Sequence, residues 1–136
     1  MSLSGSCLCG LITYTCTSDP VIAVNCHCLD CKKASGSGYA ATFLVPENAI
    51  SITGEVKYYE RMVSNGKLAR RGFCPHCGSQ LFTKPETMPG LIGVRAGSLT
   101  DLSQYKPQAD IFASRAPAWD CMDAALPKFP EMPPLG

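Results

Sequence analysis

The sequence predicts a mainly β protein with few short helical turns. Short runs rich in β-branched and aromatic residues recur along its 136 residues, and such runs suit a pleated, half-buried surface. Proline and glycine separate them at regular intervals. Only one segment reads clearly as a helix.

Taken in order, residues 10–16 (GLITYTC) form the first expected strand. Residues 39–45 form another, stopped by Pro46-Glu47-Asn48. Ile50–Thr53 and residues 56–62 flank Gly54-Glu55 at a spacing expected of a hairpin. Residues 67–73 lead into Cys74, and residues 79–83 lead away from the cysteine pair that follows. Residues 91–96 and 109–113 complete the strands. The helical piece is 29–35, a turn or two long, and 99–105 is a second short turn. From Ala116 onward the chain carries five of its eleven prolines. Proline lacks a backbone donor, so this tail stays out of central strands. It still holds Trp119, Met122, Leu126, Phe129 and Met132. Those side chains predict a tail that wraps over the body, because otherwise they would be wet. The expected organisation is one domain, 1–119, with a proline-rich tail, 120–136, packed on it.

Composition narrows the function classes. The chain is 46% hydrophobic and 17% charged, with a formal net charge of +1. No basic tail or acidic run is present, so bulk-charge binding to nucleic acid is not expected. No apolar run approaches the length of a membrane span. The opening residues MSLSGSCLCG have neither a basic n-region nor an apolar h-region, and a cytoplasmic setting is expected.

Nine cysteines carry the chemical signal. The number is odd, and pairs one residue apart suit disulfide geometry poorly. Reduced thiols that bind metal are therefore expected. Three clusters stand out: Cys7-x-Cys9, Cys26-His27-Cys28-x-x-Cys31 and Cys74-Pro75-His76-Cys77-Gly78. The last has the form of a zinc knuckle, with a glycine that tolerates positive φ. A knuckle supplies two ligands and needs two more. Adding the triple cluster would give one sulfur too many for a tetrahedral ion. Adding Cys7 and Cys9 gives four thiolates, a closed structural site. Cys26, Cys28 and Cys31 then remain as a set of three, the pattern of a catalytic zinc with one open position. On the residues alone, two alternatives stay open: a second structural site completed by Asp30 or His27, or an empty reduced cluster. His27 lies between two ligands, and neighbours in an extended segment face opposite ways, which favours a role on the other face. His76 is expected as a solvated turn residue. Cys16 is expected as a small buried apolar residue, and Cys121 is a spare thiol in the tail.

This motif order resembles the glutathione-dependent formaldehyde-activating enzyme family, which also includes centromere protein V. The resemblance rests on Gly5-Ser6-Cys7-Leu8-Cys9-Gly10, on Cys26-His27-Cys28-x-x-Cys31 running into Ser35-Gly36, and on Phe73-Cys74-x-x-Cys77-Gly78-Ser79. Gly97-Ser98-Leu99 and Ser114 to Trp119 look like later blocks of the same family. The resemblance implies a β-tent of small antiparallel sheets held by zinc. It implies the same allotment of ligands: Cys7, Cys9, Cys74 and Cys77 on a structural zinc, and Cys26, Cys28 and Cys31 on a second, open or exchangeable zinc. It also implies a carbon–sulfur lyase type of activity, joining glutathione to formaldehyde.

The chemistry of the triple cluster agrees with a small thiol partner such as glutathione. Three thiolates on a divalent zinc leave one net negative charge, which weakens activation of water but still favours an incoming thiol as thiolate. Cys26, Cys28 and Cys31 are thus the expected catalytic set. Lys32, Lys33, Arg70 and Arg71 are candidates to hold carboxylates, and the backbone of the Ser35-Gly36-Ser37-Gly38 run could meet one at close range. Lys33, Ser35 and Gly36 are the expected substrate-binding residues. The competing readings are a zinc-stabilised binding module without catalysis and a thiol redox or metal-exchange protein.

Overall fold

A computed structural model describes residues 2–63 and 66–133. Two sheets and one short helix make up the architecture. The smaller sheet holds β1 (Leu3–Ser6), β2 (Thr13–Cys16) and β5 (Ile50–Thr53) in the order β1-β2-β5, all antiparallel. The larger holds β3 (Ile22–Cys26), β4 (Ala40–Pro46), β6 (Lys57–Met62), β7 (Leu68–Phe73), β8 (Gln80–Pro85), β9 (Leu91–Arg95) and β10 (Ala109–Ile111). Its order is β10-β3-β4-β9-β8-β7-β6. The helix α1 spans Leu29–Ser35. The mainly β class and the helix are as the sequence predicts.

Alternation explains how the small sheet packs. Leu3 and Gly5 on β1, and Tyr14 and Cys16 on β2, turn to the same interior while their neighbours face solvent. They meet Phe43, Val45, Phe82, Ile92 and Val94 of the large sheet in one apolar core. Tyr14 stands edge-on to Phe82 with ring centroids 5.7 Å apart, the arrangement that ring quadrupoles favour. A second, smaller core joins Val24, Cys26, Cys31, Ala40, Ala109 and Ile111. It lies where β3, β10 and α1 meet, so the triple cluster is set into packed apolar surroundings.

Several elements differ from expectation. Residues 10–12 are not strand: Cys7 N–H donates to the Ile12 carbonyl at 3.0 Å and Gly10 N–H to the Cys7 carbonyl at 3.2 Å, closing a turn that carries Cys7 and Cys9. β1 and β3 carry no alternation strong enough to announce them; β3 (IAVNC) reads as the approach to a cysteine motif. The expected hairpin across Gly54-Glu55 does not form. β5 pairs with β2 and β6 pairs with β7, so this turn passes the chain from one sheet to the other. The β3–β10 pair is parallel, unlike the antiparallel pairing implied for the whole. β10 ends at Ile111 because Phe112 adopts φ 52°, which no strand accommodates. The turn within 99–105 is a single 3₁₀ turn, Leu102–Gln104.

The tail lies back along β10. Asp110 N–H donates to the Pro127 carbonyl at 3.0 Å, Phe129 N–H to the Asp110 carbonyl at 2.9 Å, and Ala113 N–H to the Phe129 carbonyl at 2.9 Å. Phe129 packs against the second core. Trp119 departs from the expected covering: it is 73% exposed, with only a ring edge lying over Gly38. Residues 134–136 of the expected tail lie outside the described residues. No helix is long and apolar enough to cross a membrane.

Candidate metal centres

The first centre joins two turns. The turn after β1 presents Cys7 and Cys9, and the turn after β7 presents Cys74 and Cys77. Their four sulfurs all lie within 4.8 Å of one another. Sulfurs at the corners of a tetrahedron about 2.3 Å from zinc are about 3.8 Å apart. Here Cys7 and Cys9 are 3.6 Å apart, and Cys9 and Cys74 are 3.8 Å apart. The all-sulfur donor set and this spacing both fit a tetrahedral thiophilic ion.

Local hydrogen bonds prepare three of these sulfurs, Cys7, Cys74 and Cys77, for negative charge. Cys74 Sγ accepts from the His76 and Cys77 N–H groups, each at 3.4 Å, and Cys7 Sγ accepts from Ile12 N–H at 3.3 Å. Gly78, at φ 78°, lets its N–H return to the Cys74 carbonyl at 2.8 Å. The Ser79 hydroxyl, 3.2 Å from Cys77 Sγ, and then the Ser79 backbone bring the Cys77 thiol down to about 5. His76 is exposed, as the sequence suggests. Because this centre ties a turn of the small sheet to a turn of the large one, it acts across the sheet interface.

The second centre is Cys26, Cys28 and Cys31, whose sulfurs also lie within 4.8 Å of one another. Cys26 ends β3. Cys28 is the N-cap of α1, its sulfur accepting from Cys31 N–H at 3.2 Å. Cys31 sits one turn into the helix and is buried. Cap and helix therefore set two of the three sulfurs, and the strand end sets the third. Hydrogen bonds from Cys26 and then Cys28 hold the Cys31 thiol down to about 2, with the Arg95 and Arg71 guanidinium groups assisting. Cys26 moves the other way, pushed up by its hydrogen bonds to Cys28 and Cys31 and by burial. One thiolate hydrogen-bonded by two thiols is a set ready to receive a cation.

Among the described residues, no fourth Cys, His, Asp or Glu joins this cluster. Both residues considered for that position are engaged elsewhere. His27 is completely buried, with Nδ1 2.6 Å from Asp120 Oδ2 and Nε2 2.9 Å from Asp110 Oδ1. Its ring is thus held on the far side of the strand by two carboxylates, and Lys128 Nζ reaches Asp110 at 3.1 Å. Asp30 receives Arg61 Nε at 3.2 Å. Cys121 is exposed and lies outside both clusters, and Cys16 is fully buried.

The expected substrate-binding residues fall in different places. Lys33 lines a cavity between α1 and β6–β8. Ser35 and Gly36 do not line it. The Ser35 hydroxyl donates to the Cys31 carbonyl at 2.7 Å, and Gly36, left-handed at φ 69°, donates its N–H to the Lys32 carbonyl at 2.9 Å. Both close the C-terminal end of α1. Lys32 Nζ is taken up by the Arg115 carbonyl, and Arg70 pairs with Glu60. Arg71 lines the cavity and is buried. Arg95 had no signal in the sequence. It is buried, and donates through Nε to Gln80 at 3.2 Å and through Nη1 to Thr42. The Asp110–His27–Asp120 array was equally hidden, because its members lie 83 and 93 positions apart.

The family model for glutathione-dependent formaldehyde-activating enzymes matches residues 2–115. The chain belongs to that family. Within the family's matched span fall all seven cysteines of the two centres. The fold is also similar to the crystal structure of a Rhodobacter sphaeroides protein, with a TM-score of 0.57 and 20% identity over 71% of this chain and 87% of that one. That likeness concerns the fold alone. No curated protein matches the chain. For this formaldehyde-activating family member, the structure thus presents two cysteine clusters, each able to hold a metal ion.

Proposed function

We propose that this protein is a zinc-dependent enzyme of the carbon–sulfur lyase type, joining a small thiol such as glutathione to an aldehyde, or running the reverse. The observation that carries this reading is the convergence of Cys26, Cys28 and Cys31 without a fourth protein ligand among the described residues. One ion per cluster gives two zincs per chain, one structural and one open. Zinc held by Cys26, Cys28 and Cys31 would supply Lewis acidity that favours an incoming thiol as thiolate.

The chain's own residues do the rest. Cys26, Cys28 and Cys31 fix the open position, and the α1 N-cap geometry keeps it oriented. Arg95 and Arg71 offset the negative charge of the three sulfurs, which helps a further thiolate approach. Lys33 stands at the cavity rim, while Ser35 and Gly36 hold the helix end that positions it. In the forward direction a C–S bond forms at the aldehyde carbon. The carbonyl π pair moves to oxygen, and a proton equal to the one lost by the thiol completes the hydroxyl. Positioning both reactants supplies most of the acceleration. Residues 1–119 would form the catalytic domain, with the tail from residue 120 bracing the second centre through Asp120.

Zinc per chain and the rate of glutathione–formaldehyde exchange, measured by NMR on wild type and Cys28→Ser, test this reading. About two zincs with accelerated exchange in wild type, and about one zinc with background exchange in the variant, are expected. Equal zinc and equal exchange in both proteins would overturn it.

A further inference from the structure

Arg71 is a buried cation, 8% exposed, with one donor, Nε, that the fold leaves without an acceptor among the described residues. It makes no salt bridge among them either. A buried donor without an acceptor is unfavourable and marks the place of a missing ligand, water or ion. Arg95, its buried neighbour, by contrast donates through Nε to Gln80 and through Nη1 to Thr42.

Arg71 lines a cavity of about 560 Å³ between α1 and the β6–β8 face, with Leu29, Lys33, Tyr59, Arg61 and Gln80. That volume suits a small organic ligand. Its helical wall is the same turn that carries Cys28 and Cys31, so cavity and second centre adjoin. The one acidic residue of the lining, Asp30, is already paired with Arg61. Lys33 is exposed at the rim and has no carboxylate partner among the described residues.

Charge decides what belongs there. Three thiolates and a divalent ion carry one net negative charge, which Arg95 balances. Arg71 and Lys33 remain in excess. An incoming thiolate and one carboxylate would restore neutrality, and a guanidinium fork suits a carboxylate.

We propose that Arg71 is the floor of a carboxylate subsite, with Lys33 at its rim, and that the cavity selects thiols carrying a carboxylate. The inference rests on the reading of Cys26, Cys28 and Cys31 as the thiol-binding centre. The plain competing role for Arg71 is a counter-ion to the cysteine cluster alone.

Calorimetric titration of the zinc-loaded full chain separates the two. The probes are mercaptoacetate, mercaptopropionate and mercaptobutyrate, each against its neutral amide. In wild type the best acid should bind at least about tenfold more tightly than its amide. Arg71→Gln should erase that preference, weakening the acids well beyond any loss of amide affinity at unchanged zinc content, and Arg71→Lys should restore part of it. Equal binding of acid and amide by wild type, or no binding of either, would overturn the subsite. So would a preference that survives Arg71→Gln, or a parallel loss of acid and amide binding with zinc. Should Arg71→Gln fail to fold, the wild-type comparison and Arg71→Lys decide the matter. Cys28→Ser tells the two ideas apart. If it binds the acids as tightly as wild type, the thiol-centre reading fails while the Arg71 subsite stands.

Discussion

Asp110→Asn removes one charge from a buried array and almost no volume. The Asp110 carboxylate is 1% exposed and sits 2.9 Å from His27 Nε2 and 3.1 Å from Lys128 Nζ. Its backbone also holds the tail, through Pro127 and Phe129. Breaking a buried ion pair by removing one partner costs about 3–5 kcal/mol. Asparagine keeps one acceptor for His27, and the contact with the part-exposed Lys128 is screened by solvent. The expected loss is therefore about 2–3 kcal/mol. Urea unfolding near neutral pH in excess zinc measures it. A change below about 0.5 kcal/mol, the range of an ordinary surface substitution, would refute the array as a stabilising element. Acid supplies a second check. Burial pushes the Asp110 carboxyl up, but the His27 hydrogen bond and Lys128 outweigh it, and the group lies below its ordinary value of 3.8. A carboxyl depressed by folding stabilises the fold above its unfolded value and loses that contribution as pH falls through the folded one. The gap between wild type and Asp110→Asn should thus be full above about pH 5 and close on further acidification.

Four other outcomes are expected. Cys77→Ser should destabilise or unfold the domain in chelator titrations, because a structural ion contributes folding free energy directly; Cys28→Ser should keep its circular dichroism spectrum, since serine is itself a good N-cap for α1, while losing one zinc by elemental analysis. Gly38→Ala would bring a Cβ within 2.9 Å of the Trp119 ring and 3.5 Å of Asp120 Cγ, so the emission of this lone tryptophan should shift and stability should fall by about 1–2 kcal/mol. Gly5→Ala would place a Cβ 2.3 Å from both the Ser98 carbonyl oxygen and Tyr14 Oη; part of that obstacle is backbone, and a loss of about 3 kcal/mol in urea unfolding is expected.

Much of the candidate site was legible because cysteine ligands are local in sequence. Cys-x-Cys, Cys-x-x-Cys and the knuckle glycine at Gly78 bring sulfurs together within a turn, and only the pairing of turns needed counting. The mainly β class was legible for a similar reason, since β-branched runs and their punctuation are local properties. What failed depended on partners far away. The strand Ile50–Thr53 looked like half of a hairpin, yet it pairs with β2, more than thirty positions earlier in the chain. Nothing within residues 3–6 marks them as a strand; they become one by packing Leu3 against a core that β4, β8 and β9 supply.

Residue types and short spacings were thus enough to determine that the chain is mainly β and that seven cysteines fall into a set of four and a set of three; only the structure decided that neither Asp30 nor His27 completes the set of three. The spacing already favoured His27 facing away from the ligands beside it, but tertiary structure alone decided what holds it there, because the two carboxylates arrive from β10 and the tail. It also decided which of the four cationic candidates line the cavity without a carboxylate partner among the described residues, Arg71 and Lys33. Arg70 and Arg71 are neighbours with the same chemistry in sequence, but successive residues of β7 point to opposite faces. Arg70 reaches Glu60 at the surface, and Arg71 turns into the cavity beside Cys31.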